Sequence, residues 1–243
     1  MQKTHVVMLL DESGSMGGHR QAVVSTFNSY VEELKGGAKR CFLSLFKFDS
    51  SFTNDGSILR KVFQNRKVKE CYPLTMEQYQ PRGGTPLYDA IGMLIRQTKK
   101  RLPKDAKVLF VVHTDGQENA SQMFNAERVK TMIHKCENKR GWTFVYLGEG
   151  AAAWNAGYDF GIENVANFSS SLRGASMNKL ATATSCYANS AVSNTKTFYA
   201  DASLTPDDID EGESAHARSA LESTEIGKSL DKAIDEVFDN GTK

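Results

Sequence analysis

The chain has 243 residues, of which 40% are hydrophobic and 24% charged, and its formal net charge is +1. These values are typical of an ordinary globular protein and exclude a collagen-like or wholly disordered chain. The near-zero net charge provides no global attraction towards nucleic acid or an anionic membrane surface, so we expect neither as a partner.

The first half of the chain alternates between apolar runs and helical patterns. Residues 5–10 form an unbroken apolar run that ends at Asp11, which is typical of a strand buried on both faces of a parallel sheet. After a Gly/Ser loop, apolar residues at helical spacing predict a helix that ends at Gly36-Gly37. Residues 41–48 predict a second strand, and the basic, loosely alternating residues 57–72 predict an exposed edge strand or hairpin.

The second half continues this alternation. A helix is predicted to begin near Thr85-Pro86, because proline suits the first helical position and an apolar stripe follows. Residues 107–113 are the most strand-like run in the chain and stop just before Asp115. The other predicted elements are a helix around 129–136, a strand at 142–147, a short helix at 150–159 and a weak strand at 164–168. The alternation predicts a doubly wound α/β domain with a mostly parallel sheet.

The C-terminal part differs in composition. Residues 200–243 carry twelve acidic and four basic side chains, whereas residues 1–199 carry 17 acidic and 26 basic ones. Residues 173–195 predict a polar helix, residues 200–216 a mobile linker, and apolar residues at 226–238 an amphipathic helix. We therefore predict three parts: a main domain at 1–170, a helical extension at 171–199, and an acidic linker with a C-terminal helix at 200–243.

The compartment is predicted from cysteines and apolar runs. The four cysteines are far apart and form no CxxC pair, so we expect reduced thiols, not a zinc site or a disulfide framework. The N-terminal apolar run is too short for a signal-peptide core, and no stretch is long enough to span a bilayer. These features together predict a cytoplasmic protein.

Oxygen-bearing side chains follow three of the predicted elements. Asp11, Ser13 and Ser15 come directly after the first buried strand, Thr85 begins a helix after a double glycine, and Asp115 follows another buried strand. Loops at the carboxyl ends of parallel strands meet at one edge of the sheet, where ligands bind. Carboxylate, hydroxyl and water oxygens suit Mg²⁺ or Mn²⁺ better than zinc. Because serine and threonine add no charge, such a metal stays electrophilic and would bind an incoming carboxylate.

These loops also resemble those of a known family. The segments DESGS from Asp11, RGGTPLYDAIG from Arg82 and HTDGQENAS from His113 resemble the three metal-site loops of von Willebrand factor A (VWA) domains. DxSxS alone is a weak signal, but all three loops in order at suitable element ends are a strong one. The resemblance covers roughly residues 4–168. The family's metal ligands map onto Asp11, Ser13, Ser15, Thr85 and Asp115.

The resemblance implies a fold and a function. The fold is a Rossmann-like, mostly parallel sheet with one antiparallel edge strand, and the site is a metal-ion-dependent adhesion site, in which a partner's Asp or Glu completes the coordination of Mg²⁺, with Mn²⁺ or Ca²⁺ as alternatives. The intracellular bacterial and phage members are the most similar, which implies a bacterial cytoplasm or that of a phage's host. Such proteins serve as adaptors, including for AAA+ ATPase-type assemblies, and a homo-oligomer is a further option. No catalytic residue is expected.

Residues close to the five ligands have weaker predictions. Asp89 either orients the neighbouring loop through hydrogen bonds, as a group behind the metal ligands would, or is a solvated helix carboxylate. Asn119 is expected to brace its own loop and, like Asp89, is a candidate group behind the metal ligands. Glu12 and Glu118 are expected to be exposed at the rim, and His113 to be packed at its strand end.

Two other functions remain open at this point. An Mg²⁺-dependent hydrolase or phosphotransferase would also use two carboxylates at a sheet edge. The chain lacks a Walker-type GxxxxGK[ST] and a GxGxxG motif, and the Ser13 and Ser15 loops offer no obvious His or Lys base. The third option is a self-assembling structural protein that uses its amphipathic C-terminal helix.

The acidic segment suggests one regulatory hypothesis. A carboxylate from residues 201–213, of the same chain or of a neighbouring one, would reach the metal and compete with the partner, because a mobile acidic segment accompanies a site that binds carboxylates. Deleting residues 200–243 should then tighten the binding of an acidic peptide in Mg²⁺. Unchanged affinity would contradict the hypothesis.

Overall fold

A computed structural model describes residues 2–115, 118–148, 150–167, 173–192 and 194–199, apart from the side chains of 150–154, 167 and 173–176. The predicted linker and C-terminal amphipathic helix therefore lie outside the described residues. No helix within the described ranges is long and apolar enough to cross a membrane.

Six strands form one sheet in the order β3-β2-β1-β4-β5-β6. Every neighbouring pair is parallel except β2 and β3, which are antiparallel. The fold class predicted from the sequence is therefore confirmed, including the antiparallel edge strand. The strands are β1 (Thr4–Asp11), β2 (Cys41–Phe48), β3 (Leu59–Lys67), β4 (Lys107–His113), β5 (Thr143–Gly148) and β6 (Asn164–Asn167).

Five α-helices in the described part of the chain cover both faces of the sheet. Along the sheet, β2 and β3 lie on one side of β1, and β4 lies on the other side. The connection from β1 to β2 and the connection from β3 to β4 therefore run in opposite directions. Because both crossovers are right-handed, their helices lie on opposite faces of the sheet. One face carries the first and last of the five helices, which contact each other, and the second and third helices contact each other as well. The helices are α1 (Arg20–Gly37), α2 (Leu87–Arg101), α3 (Ala126–Arg140), α4 (Gly150–Asp159) and α5 (Arg173–Asn189).

The core consists of strand side chains that alternate between the two faces. Val7 and Leu9 of β1 belong to the apolar cluster that includes Ile91 of α2 and Ile133 of α3. The intervening residues of β1 are also fully buried, because the same strand is covered on its other face. This two-sided burial explains why the strands read as unbroken apolar runs in the sequence.

The α5 helix is the polar helix predicted at 173–195, and it packs on α1. The Tyr30 hydroxyl donates to Thr184 Oγ1 at 3.2 Å, and Asn189 Nδ2 donates to the carbonyl oxygen of Gly37 at 2.9 Å. A Cβ on Gly37 would meet the Ser185 hydroxyl at 2.8 Å, so the glycine permits close approach of the two helices. The predicted domain boundary at residue 170 stays a prediction.

The register places the candidate site residues at one edge of the sheet. Asp11, the last residue of β1, lies beside Phe48, the last residue of β2, and Leu10 lies beside His113, the last residue of β4. The three loops that follow therefore start side by side. The α2 helix begins at Leu87, two residues after Thr85, with Pro86 at the N-cap position, so the predicted role of Pro86 as the first helical residue is wrong by one position.

Candidate metal centre

Asp11 is fully buried and held by hydrogen bonds from two loops. One carboxylate oxygen accepts the backbone N–H of Ser13 at 2.7 Å, and the other accepts the hydroxyl of Thr114. The Asp11 carbonyl oxygen also accepts the hydroxyl of Tyr79. Burial raises the pKa of Asp11 to about 6; hydrogen bonds from Thr114 and Ser13 act against this, and the charge of Asp115 adds to it. Hydrogen bonds therefore orient the Asp11 carboxylate, but no cationic side chain among the described residues neutralises its charge.

The two serines of the motif connect to Asp115 on the neighbouring loop. The hydroxyl oxygens of Ser13 and Ser15 lie 3.1 Å apart, and Ser15 Oγ donates to Asp115 Oδ1 at 2.9 Å. His19 Nε2 lies 3.9 Å from the other carboxylate oxygen of Asp115. His19 stands four residues beyond Ser15 in the sequence, outside the DESGS motif, and was not predicted to be part of this site. The structure thus joins three of the predicted ligands in one hydrogen-bonded chain.

Thr85 is buried, and the segment before it is bonded to the serine loop. The Gly14 N–H donates to the carbonyl oxygen of Gly83 at 3.0 Å, which ties the loop before Thr85 to the serine loop. Gly83 has φ +65°, and a Cβ there would meet the Ser50 hydroxyl at 2.7 Å, so glycine is required on both counts. Among the described residues, no hydrogen bond joins the Thr85 hydroxyl to the other four predicted ligands.

Asn119 and Asp89 hold the loops around Thr85. The Thr85 N–H donates to Asn119 Oδ1 at 2.8 Å, and the Asn119 N–H returns a bond to the Thr85 carbonyl oxygen at 3.1 Å. Asn119 therefore braces the Thr85 loop, and its predicted role in its own loop stays a prediction. The Asp89 carboxylate is buried and accepts three backbone N–H groups, from residues 122–124, at 2.8–2.9 Å. Of the two interpretations of Asp89, the structure supports the loop-orienting one.

Glu12 and Glu118 are not the exposed rim residues predicted from the sequence. Glu12 is 1% exposed, and its carboxylate accepts Lys47 Nζ at 2.7 Å and lies 3.5 Å from Arg60 Nη1. Glu118 is half-buried and accepts backbone N–H groups of its own loop and of Tyr88. The burial of Glu12 could have been predicted from Lys47, which interrupts the otherwise apolar strand β2, since a buried cation requires a buried anion.

Asp49 completes this buried charge cluster and was not identified from the sequence. It follows β2 directly, as Asp115 closely follows β4, and it is fully buried. Arg60 Nη1 and Nη2 donate to its two carboxylate oxygens at 2.7 and 2.9 Å, a bidentate geometry. We refer to Glu12, Lys47, Asp49 and Arg60 as the buried charge cluster. It lies directly behind the DESGS loop and fixes its second residue.

The residues at this edge fit a hard divalent cation. The predicted ligands offer two carboxylates and three hydroxyls, which are the oxygen donors that Mg²⁺ and Mn²⁺ prefer. Within the described ranges, no group of three or more His, Cys, Asp or Glu side chains is arranged to hold a metal ion, which leaves no competing carboxylate- or imidazole-rich site there. The assignment of Asp11, Ser13, Ser15, Thr85 and Asp115 as ligands stays a prediction.

Comparisons with solved structures show the same fold at low sequence identity. The chain is similar to the pilus adhesin SpaC of Lactobacillus rhamnosus GG in its open conformation (14% identity, TM-score 0.54, covering 76% of this chain and 30% of that one). It is also similar to the PilB minor pilin of Streptococcus sanguinis (12%, 0.53, 76% and 60%). A third is a von Willebrand factor type A protein of Catenulispora acidiphila (14%, 0.51, 77% and 43%).

The chain spans less than two thirds of the length of each of these structures. A comparison with curated proteins found no match. Residues 5–197 match the family model of the von Willebrand factor type A domain, which covers the six strands and α1 to α5. On this match, with the sheet topology and the three loops at its edge, the chain belongs to the von Willebrand factor type A domain family.

Proposed function

We propose that this protein is a metal-dependent protein-interaction module and not an enzyme. Asp11, Ser13, Ser15, Thr85 and Asp115 would hold Mg²⁺, and an Asp or Glu of a protein partner would complete its coordination. The same surface would serve in a larger assembly, with an AAA+ ATPase-type machine or a homo-oligomer as candidates.

The observation that carries the proposal is the hydrogen-bonded chain from Ser13 through Ser15 to Asp115 beside the buried Asp11. Two carboxylates held close to each other repel unless a cation lies between or near them. The family is one of metal-dependent adhesion and interaction modules. SpaC, which has the same fold, is a pilus adhesin, which supports an adhesive role for this fold.

The direct test is an affinity pull-down with wild-type protein, Asp11→Ala and Ser15→Ala, each in Mg²⁺ and in EDTA. Ser15 is exposed, so Ser15→Ala should remove a ligand with little effect on folding. We expect a partner that is captured by the wild type in Mg²⁺ and lost in EDTA and in both variants. Asp105→Ala, an exposed carboxylate at the other edge of the sheet, is the matched control and should retain the partner.

The hydrolase alternative is tested with the same variants. Turnover of a phosphate ester that requires Mg²⁺ and is abolished by Asp11→Ala would overturn the proposal. A partner that binds equally well in EDTA would also overturn the proposal. If the protein in addition forms a stable oligomer that survives both EDTA and Asp11→Ala, the self-assembling alternative would be favoured.

A further inference from the structure

Arg82 begins the segment that carries Thr85, and this segment is bonded to the DESGS loop. Its backbone N–H donates to the carbonyl oxygen of Glu12 at 2.8 Å, and the next residue, Gly83, accepts the N–H of Gly14 at 3.0 Å. Thr85 follows three residues later. Three residues span at most about 11 Å. Because both hydrogen bonds join this segment to the DESGS loop, the backbone of Arg82 is held close to the predicted ligands.

The Arg82 side chain is only partly used by the fold. It is 54% exposed, and Nε donates to Asp49 Oδ2 at 3.3 Å. Arg60 already binds both oxygens of Asp49, at 2.7 and 2.9 Å. The two terminal amino groups of Arg82 make no hydrogen bond or ion pair to the described residues. They are available to an external acceptor with the planar geometry of a carboxylate.

The charge of Arg82 is also unbalanced. In the buried charge cluster, the cations Lys47 and Arg60 neutralise the anions Glu12 and Asp49. Arg82, which contacts Asp49 from outside this cluster and is 54% exposed, adds a third cation to these two anions. With Mg²⁺ bound between Asp11 and Asp115, the exposed guanidinium of Arg82 would be a cation without a counter-charge beside a site that is proposed to bind an acidic side chain.

An exposed aromatic ring lies on the adjoining loop. Phe52 is 69% exposed, the largest fraction for any large hydrophobic side chain that the structure describes. Its loop is tied to the Arg82–Thr85 segment, because Ser50 N–H donates to the Gly84 carbonyl oxygen and Gly84 N–H donates to Ser50 Oγ. An aromatic side chain this exposed, next to a predicted binding site, is typical of an interface residue.

We propose that Arg82 binds a second carboxylate of the same partner segment and that Phe52 covers an apolar side chain beside it. The inference rests on the proposed function and names the partner's chemistry: an extended acidic segment of a protein. Since an extended chain rises about 3.3 Å per residue, the two acidic residues should lie within about three or four positions of each other. The metal would bind one and the guanidinium the other.

The test is selection from a library of random 12-residue peptides displayed on phage, with the full chain immobilised in Mg²⁺ and elution by EDTA. We expect the wild type to enrich peptides with two acidic residues within four positions. Arg82→Gln should still enrich one acidic residue but lose the second. For a synthetic peptide from the wild-type selection, Arg82→Gln should weaken binding roughly 10- to 100-fold, which is the loss expected for a charge-assisted hydrogen-bonded pair.

Three further variants sharpen the result. Lys104→Gln removes an exposed cation that precedes β4, at the other edge of the sheet, and should match the wild type. Arg82→Glu should select a basic residue at the second position. Phe52→Ser should weaken binding of the same peptide without changing the acidic spacing. Arg60 continues to pair with Asp49 in each Arg82 variant, so folding should be preserved, which circular dichroism melts would confirm.

The outcomes separate this inference from the proposed function. If the wild type and Arg82→Gln both enrich peptides in a Mg²⁺-dependent way with the same motif, the proposed function stands and the role of Arg82 is wrong. If no variant enriches any peptide in a Mg²⁺-dependent way, the proposed function fails, and the inference fails with it.

Discussion

Asp11 and Glu12 are adjacent buried acids whose charges are compensated in different ways. Glu12 contacts two cationic side chains, Lys47 and Arg60. Asp11 accepts hydrogen bonds from hydroxyl and N–H groups and has no ion pair within the described ranges. A buried anion without a counter-charge is unfavourable, so Asp11 is the residue of this pair whose environment a bound cation would improve.

The first prediction concerns Glu12. Glu12→Gln should lower the free energy of unfolding by about 3–5 kcal/mol, because it leaves Lys47 buried without its anion. Urea denaturation measures the change. The matched control is Glu32→Gln, which removes the exposed Glu32–Lys35 pair and should cost at most about 1 kcal/mol. Equal losses in the two variants would show that the buried pair contributes no more than a surface pair.

The second prediction concerns Asp89. Asp89→Asn replaces an acceptor of three backbone N–H groups with a side chain that has one acceptor oxygen, so at least one buried donor becomes unsatisfied. The free energy of unfolding should fall by about 1–3 kcal/mol, and amide hydrogen exchange should accelerate at residues 122–124. Asp105→Asn, at an exposed position, should change neither quantity. Unchanged exchange at these amides would show that Asp89 does not hold the loop.

At the scale of elements, Lys107 connects β4 to α5. Its Nζ donates to the carbonyl oxygens of Tyr187 and Ser190, near the C-terminal end of α5, and lies 4.2 Å from the centroid of the Tyr187 ring. A cation at a helix C-terminus satisfies carbonyl groups that have no partner within the helix. Lys107 therefore fixes the end of α5 to the sheet.

The third prediction is a pH dependence caused by this lysine. Burial lowers the pKa of Lys107 from 10.5 to about 8. The unfolded chain then binds more protons than the folded one between these pH values, so the free energy of unfolding should rise with pH there, by at most about 1.4 kcal/mol per pH unit. Urea denaturation from pH 7 to 10.5 should show this rise relative to Lys107→Met. Parallel curves for the two proteins would contradict it.

The elements were predictable from sequence to the extent that their burial leaves a periodic or continuous apolar signal. The β1 and β4 strands are covered on both faces, so their continuous apolar runs identified them. The α5 helix packs through Ala, Thr and Tyr side chains such as Tyr187, whose burial is not apparent from its polar composition. The buried charge cluster was missed because Arg60 and Asp49 come together through strand pairing, which local patterns do not encode.

Part of the candidate site was also predictable from the sequence and part was not. Asp11 and Asp115 were predictable as neighbours because parallel strands end at one edge. The bracing of Thr85 by Asn119 was not predictable, because it depends on how the loop between β4 and α3 folds back over the start of α2. Local spacing identified the candidate ligands, and tertiary hydrogen bonds determine which loops support them.

The fourth prediction concerns the whole molecule and its metal. If Mg²⁺ binds the folded chain and not the unfolded one, it should raise the free energy of unfolding by about 2.7 kcal/mol at a Mg²⁺ concentration of 100 times Kd. Thermal melts of the full chain in increasing Mg²⁺ measure this rise. Ser15→Ala should require more Mg²⁺ for the same rise, and Asp105→Ala should behave as the wild type. A melting temperature independent of Mg²⁺ would contradict the metal site.

Arg60 is a residue of β3, one of the two outermost strands of the sheet, and it also contacts Glu12 and Asp49 behind the candidate site. An outermost strand is usually among the first parts of a sheet to open. Opening of β3 would remove the Arg60 guanidinium from the buried carboxylates of Glu12 and Asp49, so β3 and the DESGS loop should open in one cooperative step. We therefore expect β3 to open less readily than an outermost strand usually does. Partner binding at the DESGS loop should then slow amide hydrogen exchange along β3.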